Sequence, residues 1–178
     1  MAPADLPKEA VGRTLVYLNK DGDRIRSTVT AVGADGHVTW ESSDGMTSTT
    51  EQPLAGYVAW KGPDDEGTQR FHGDPVFPLE VGKVIRLNYS GDSTKEGAWN
   101  GRRLCRVDSE QSVDVRAGTF DTFKVTCKQG SDLSRPSQTR TFYYAPAIGA
   151  SVLTTISWQD GRSERLELVE YQEPPTSS

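Results

Sequence analysis

The side chains able to do acid–base, nucleophilic or metal chemistry are few and scattered. Only two histidines, His37 and His72, can serve as bases near neutral pH. His37 follows the Asp35-Gly36 turn in DGHVTW and reads as a surface strand residue. His72 lies in Arg70-Phe71-His72-Gly73-Asp74, where the carboxylate two residues on could orient the imidazole as the acid of a triad does. No GxSxG elbow supplies a nucleophile, so a loop-closing hydrogen bond between His72 and Asp74 is the expected arrangement. Asp21 and Asp23 begin like a calcium loop, but Arg24 follows and no bidentate Glu stands at loop position twelve. A charged hairpin turn explains that pair, and Asp64-Asp65-Glu66 reads as a charged loop. There is no Walker loop, GxGxxG or HExxH. Cys105 and Cys127 form no CxxC and do not cluster with histidine, which argues against zinc. Neither a catalytic residue, a metal site nor a cofactor is expected, and the chain reads as a non-enzyme.

The cysteines suggest a crosslink instead. Cys105 opens CRVDSEQSVDVRAGTF and Cys127 closes DTFKVTC, and a hairpin turning near Ala117-Gly118 would fold these runs together. A turn centred on Arg116 places Cys105 directly opposite Cys127, within bridging range. A turn centred on Ala117 places Val107 there and leaves Cys105 diagonal on the same face. A Cys105–Cys127 disulfide is expected, and with it an oxidising compartment, periplasmic or secreted. The opening MAPADLPKEA has neither a basic n-region nor an apolar h-region. That start suits either a cytosolic chain or a mature exported one, and the cysteines favour the second.

The elements that must position these residues are strands. Turn signals recur at Asp21-Gly22, Asp35-Gly36, Asp44-Gly45, Gly62-Pro63, Gly73-Asp74-Pro75, Gly91-Asp92, Asn100-Gly101, Ala117-Gly118 and Asp160-Gly161. Between them lie runs rich in Thr, Val, Ile and aromatics, with clean alternation at Val113/Val115, Phe123/Val125 and Phe142/Tyr144. No long window free of Gly and Pro has helical periodicity; a single helical turn near Pro78-Leu79-Glu80 is the most expected. The reading is an all-β chain: a curved antiparallel meander, as a half-barrel or partly closed barrel of about ten strands. Residues 1–10 read as a flexible arm, 11–171 as a single β-domain and 172–178 as a disordered tail.

The 178 residues are 34% apolar, with a net charge of -5. No apolar run approaches the roughly 18 residues of a spanning helix, so no membrane span is expected. The acidic balance lacks the bulk electrostatics for nucleic acid. The local cluster Arg102, Arg103 and Arg106 reads as a solvated strand edge.

Three phrases in the second half carry a resemblance. They are Phe77-Pro78-Leu79-Glu80-Val81-Gly82-Lys83, then Val115-Arg116-Ala117-Gly118-Thr119-Phe120 continuing to Lys124-Val125, then Thr141-Phe142-Tyr143-Tyr144-Ala145-Pro146-Ala147-Ile148-Gly149-Ala150. Over about residues 75–171 the chain resembles a family of bacterial envelope β-domains, periplasmic proteins or lipoproteins of unassigned function. The resemblance implies curved antiparallel sheets and brings no catalytic residues with it. The phrases also have a local reading: Gly82 and Gly118 suit turns, and Pro146 ends a strand.

The aromatics are the remaining candidates. Trp40, Trp60, Trp99 and Trp158 each lie near a turn or a strand end. Filling the core is their expected use; lining a concave face would make an apolar groove for a lipid or glycan. With Tyr143, Tyr144 and Ile148 they form the candidate ligand-contacting set. The functional expectation is a non-catalytic binding or interaction domain of the cell envelope. Its partner would be an envelope protein or a hydrophobic small molecule, and the alternative is a carrier holding a lipid or acyl chain in a half-barrel cavity.

Overall fold

The computed structural model describes residues 1–133 and 137–174. The expected tail therefore falls partly outside the described residues, at 175–178. Twelve antiparallel strands follow one another around a closed barrel: β1 (Thr14–Asn19), β2 (Arg24–Val32), β3 (Val38–Ser42), β4 (Thr47–Thr50), β5 (Tyr57–Lys61), β6 (Glu66–Gly73), β7 (Val84–Ser93), β8 (Gly97–Val115), β9 (Gly118–Ser131), β10 (Gln138–Ala145), β11 (Ala150–Trp158) and β12 (Ser163–Gln172). β1 pairs with β12 from Thr14↔Gln172 to Asn19↔Leu166, so no strand is left as an edge. The meander is thus complete where a partly closed one of about ten strands was expected. The strands that alternation left faint lie between residues 47 and 73. There Ser48 and Gly67 take inward positions that elsewhere hold apolar side chains, so the sequence pattern fades.

Most of the turn dipeptides do turn, but Gly91-Asp92 and Asn100-Gly101 do not: they lie within β7 and β8. The turn between these strands falls at residues 94–96. Among the described residues the short helical turn is at Pro146–Ile148, not near Pro78, and Gly149 ends it in the left-handed region at φ 57°.

Side chains alternate in and out along each strand. β8 shows it plainly: Arg103, Cys105 and Val107 are buried, while Arg102, Leu104, Arg106 and Asp108 are exposed. The charged outer positions invert the apolar outward band of a membrane-spanning barrel. No helix among the described residues is long and apolar enough to cross a membrane.

One core cluster joins Ile85, Leu87, Val107, Phe123, Val125 and Tyr144 to Val76, Phe77 and Leu79 of the β6–β7 connection. Residues 1–10 do not hang free of this body: Ala4 is buried and exchanges backbone hydrogen bonds with Leu79 at 2.9 and 2.8 Å. A second cluster, around Leu15, Ile148, Val152 and Leu168, is covered by Val113, Val115 and Phe120 from the tip of the long β8–β9 hairpin.

Cys105 and Cys127 are directly opposed in that hairpin and joined by a disulfide, with Cα atoms 4.0 Å apart. The turn itself is centred between the two alternatives, since Val115 pairs with Gly118. A bulge between Val107 and Ser109 then shifts the register by one residue and brings the sulfurs together.

Candidate functional site

An eight-stranded barrel is roughly filled by its own side chains or holds one small ligand; twelve strands enclose more space than that. Among the described residues, inward strand positions line cavities of about 560 and about 680 Å³ that are open to solvent on one side. They share Thr50, Pro53, Leu54, Tyr57 and Phe142 as a common boundary, so the β4–β5 loop divides the lumen. Along β7 the inward residues change from Ile85 and Leu87, in the core, to Tyr89 and Ser93, which line the larger cavity.

All four tryptophans border this space: Trp40 the smaller cavity, and Trp60, Trp99 and Trp158 the larger. The placement of two of them, Trp60 and Trp99, and of Tyr89 rests on glycine. Trp60 is directly opposite Gly67, Trp99 opposite Gly91, and Tyr89 opposite Gly101. A Cβ at Gly67, Gly91 or Gly101 would stand 2.4, 2.5 or 2.2 Å from the facing ring. The rings therefore lie along the barrel wall over bare backbone, which keeps the lumen open. Trp60 and Trp99 also approach each other, with centroids 6.0 Å apart. This explains why Gly91 and Gly101 sit inside strands: each is demanded by close approach of a ring rather than by a turn.

Polar anchors hold the rings. Trp60 Nε1 donates to Asp65 Oδ2 at 3.0 Å, and Trp99 Nε1 donates to Gln69 Oε1 at 3.3 Å. The Trp60 N–H, followed by backbone and hydroxyl donors, holds the Asp65 carboxyl below the usual carboxylate range. Trp158 closes its side of the cavity with the Arg162 guanidinium 5.0 Å from its ring centroid.

The other sequence candidates lie elsewhere. Tyr144 is fully buried and packs edge-on to Phe77, at 5.5 Å between centroids. Ile148 is buried in the second cluster, and Tyr143 packs on its margin. None of the three borders either cavity.

The histidines do not approach the lumen. His37 is a half-buried partner of Asp35, at 2.6 Å. His72 is exposed opposite Asn88. Asp74 takes the Arg86 backbone N–H at 2.9 Å instead of binding His72, because Gly73 and Leu87 bring it beside β7.

Two functional candidates were missed from the sequence. Arg103, expected on a solvated edge, points inward and is only 6% exposed. Its Nη1 donates to the carbonyls of Leu54, at 3.0 Å, and Ala55, and its Nε donates to Gln129 Oε1 at 2.8 Å. The guanidinium lies 5.4 Å from the Phe71 centroid. Its alternation with Cys105 and Val107 was the signal that could have placed it inside.

Arg140 faces the same cavity from β10, directly opposite Cys127 and Ile156. Its Nη2 reaches Gln138 Oε1 at 3.3 Å, while its buried Nε finds no acceptor among the described residues. Burial, then the neighbouring Arg140 charge, pushes Arg103 down to about 10, and burial also lowers Arg140. Both remain cations at neutral pH.

The smaller cavity is electrostatically different. There Arg13 is paired with Glu9 at 2.5 Å, both side chains buried, and it also donates to the Ile148 carbonyl.

No family model matches the sequence, and no curated protein does either. Solved structures do share the architecture. One is YmcC, a hypothetical lipoprotein of Escherichia coli K12, with TM-score 0.61 and 11% identity over 94% of this chain and 90% of that one. A second, from Parabacteroides distasonis and described as a lipoprotein, has TM-score 0.56 and 13% identity over 97% and 100%. A third, from Bacteroides fragilis and described as exported with a YmcC-like fold, has TM-score 0.53 and 12% identity over 96% and 100%. The chain has the YmcC-like barrel fold.

Proposed function

We propose that this protein is a non-catalytic binding protein of the bacterial envelope that takes an apolar or amphiphilic small molecule into its barrel. The observation that carries the reading is the pairing of inward rings with glycines, which opens a lumen instead of filling it. Both cavities fall within the roughly 300–1,000 Å³ of small-molecule sites. Of the two functions expected from the sequence, the carrier is the better supported, with a closed barrel in place of a half-barrel. An envelope location is supported by the disulfide and by the lipoprotein and exported descriptions of proteins with this fold.

The test is native mass spectrometry of the intact chain after exposure to a bacterial envelope lipid extract, with tryptophan emission followed in parallel. One lipid-sized adduct per chain and a shifted emission are expected. No adduct together with unchanged emission would overturn the reading.

A further inference from the structure

The larger cavity combines an aromatic wall with two guanidinium groups that have no counter-ion among the described residues. Arg103 and Arg140 come from β8 and β10, separated only by β9. Arg103 is opposite Gln129, Gln129 is opposite Gln138, and Arg140 stands two residues beyond Gln138 on the same inward face. Among the described residues neither guanidinium forms an ion pair, although arginines elsewhere do, as Arg13 with Glu9 and Arg24 with Glu170. Burying one cation without a counter-ion is costly, and placing a second beside it adds repulsion.

The two are not equivalent. Arg103 spends its donors on backbone carbonyls of the β4–β5 loop and on Gln129, which explains it as a structural tie. Arg140 has one neutral acceptor, Gln138, the Phe142 ring centroid 5.9 Å from its guanidinium carbon, and an orphaned Nε. The carboxylates bordering the cavity do not neutralise it. Asp65 is committed to the Trp60 indole, the Thr94 hydroxyl and the Lys95 N–H, and Glu96 is exposed at the β7–β8 turn. Glu164, exposed on β12, supports the Arg140 charge only through its field.

Resting on the binding function above, we propose that the larger cavity takes an anionic amphiphile. Its carboxylate or phosphate head would sit on Arg140 beside Arg103, and its apolar chain would lie along Trp60, Trp99 and Trp158. A guanidinium presents a planar fork of donors that matches either head group. The smaller cavity is not the anion site, because Arg13 already has Glu9.

The experiment is calorimetric titration of the intact protein with dodecanoate, dodecyl phosphate, dodecan-1-ol, acetate and inorganic phosphate. The two anionic amphiphiles should bind about tenfold or more tighter than the alcohol, and the two small anions should bind far more weakly. Arg140→Gln should weaken both anionic amphiphiles more than it weakens dodecan-1-ol, so that the preference shrinks, and Arg140→Lys should retain more of it than Arg140→Gln does. Equal affinity for alcohol and dodecanoate, or an undiminished preference in a folded Arg140→Gln, would overturn the anion site and leave the carrier function standing. Inorganic phosphate binding as tightly as dodecyl phosphate would overturn the amphiphile. Binding of none of the five overturns both readings. The comparison of alcohol with anion uses the unaltered chain, so it decides the matter even where a variant fails to fold.

Discussion

Tyr89 lies across Gly101, its directly opposed partner in the β7–β8 ladder, so closely that a Cβ on residue 101 would meet the ring Cζ at 2.2 Å. The ring is held there by its hydroxyl, which donates to the Gly130 carbonyl at 3.1 Å. Gly101→Ala should therefore push Tyr89 off the wall and break that bond. Overpacking of this kind costs about 1–3 kcal/mol. Urea unfolding should show a lowered midpoint, with Tyr89→Phe in the Gly101→Ala background costing less than it does alone.

The Cys105–Cys127 bridge has a sequence separation of 22 residues. The chain-entropy model gives such a loop roughly 3 kcal/mol. Adding reductant to the unfolding series, or replacing Cys127 with Ser, should lower stability by about that much. Thiol labelling of the unfolded, unreduced chain should find no reactive cysteine.

Arg103 ties the loop that divides the lumen to the wall. Arg103→Met keeps much of the apolar stem but removes the donors from the Leu54 and Ala55 carbonyls. Leaving buried acceptors unsatisfied costs about 1–3 kcal/mol each. The expected result is a matching loss of stability and faster amide exchange in residues 52–56.

Asp65 makes stability respond to pH through Trp60. Its folded carboxyl titrates below the ordinary value because the Trp60 N–H, and then Lys95, Ser93 and Thr94, bind the charged form. The stabilisation is fully present above the unfolded value of about 3.9 and is lost as pH falls through the lower, folded one. Tryptophan emission and urea midpoint should both move in that acid window. Asp65→Asn, which keeps an acceptor for the indole, should flatten the response.

Much of the fold was legible because it depends on local chemistry. Asp-Gly dipeptides announced hairpins at Asp21-Gly22, Asp35-Gly36, Asp44-Gly45 and Asp160-Gly161, and alternation announced the core strands. The disulfide was legible as a pair but not as a register, since the deciding feature is a bulge between Val107 and Ser109 that no residue type there requires. Gly91 and Gly101 were misread as turns because their reason is a ring on a neighbouring strand, invisible to any local window. Arg103 shows the same limit from the other side. Its burial follows the β8 alternation, but a charged residue reads as exposed until carbonyl acceptors from a loop 49 residues away in sequence are seen to meet it.

The sequence by itself thus determined an all-β meander and a crosslinked hairpin, properties set by neighbouring residues and their period. Only the tertiary structure decided that β12 returns to β1 and closes the barrel, because closure depends on the summed twist and register of all twelve strands. Closure also decided where the tryptophans lie. The twelve-strand circumference leaves all four bordering a cavity, Trp60 and Trp99 over glycines, while Trp99 stays buried and Trp40 still packs against the second core cluster.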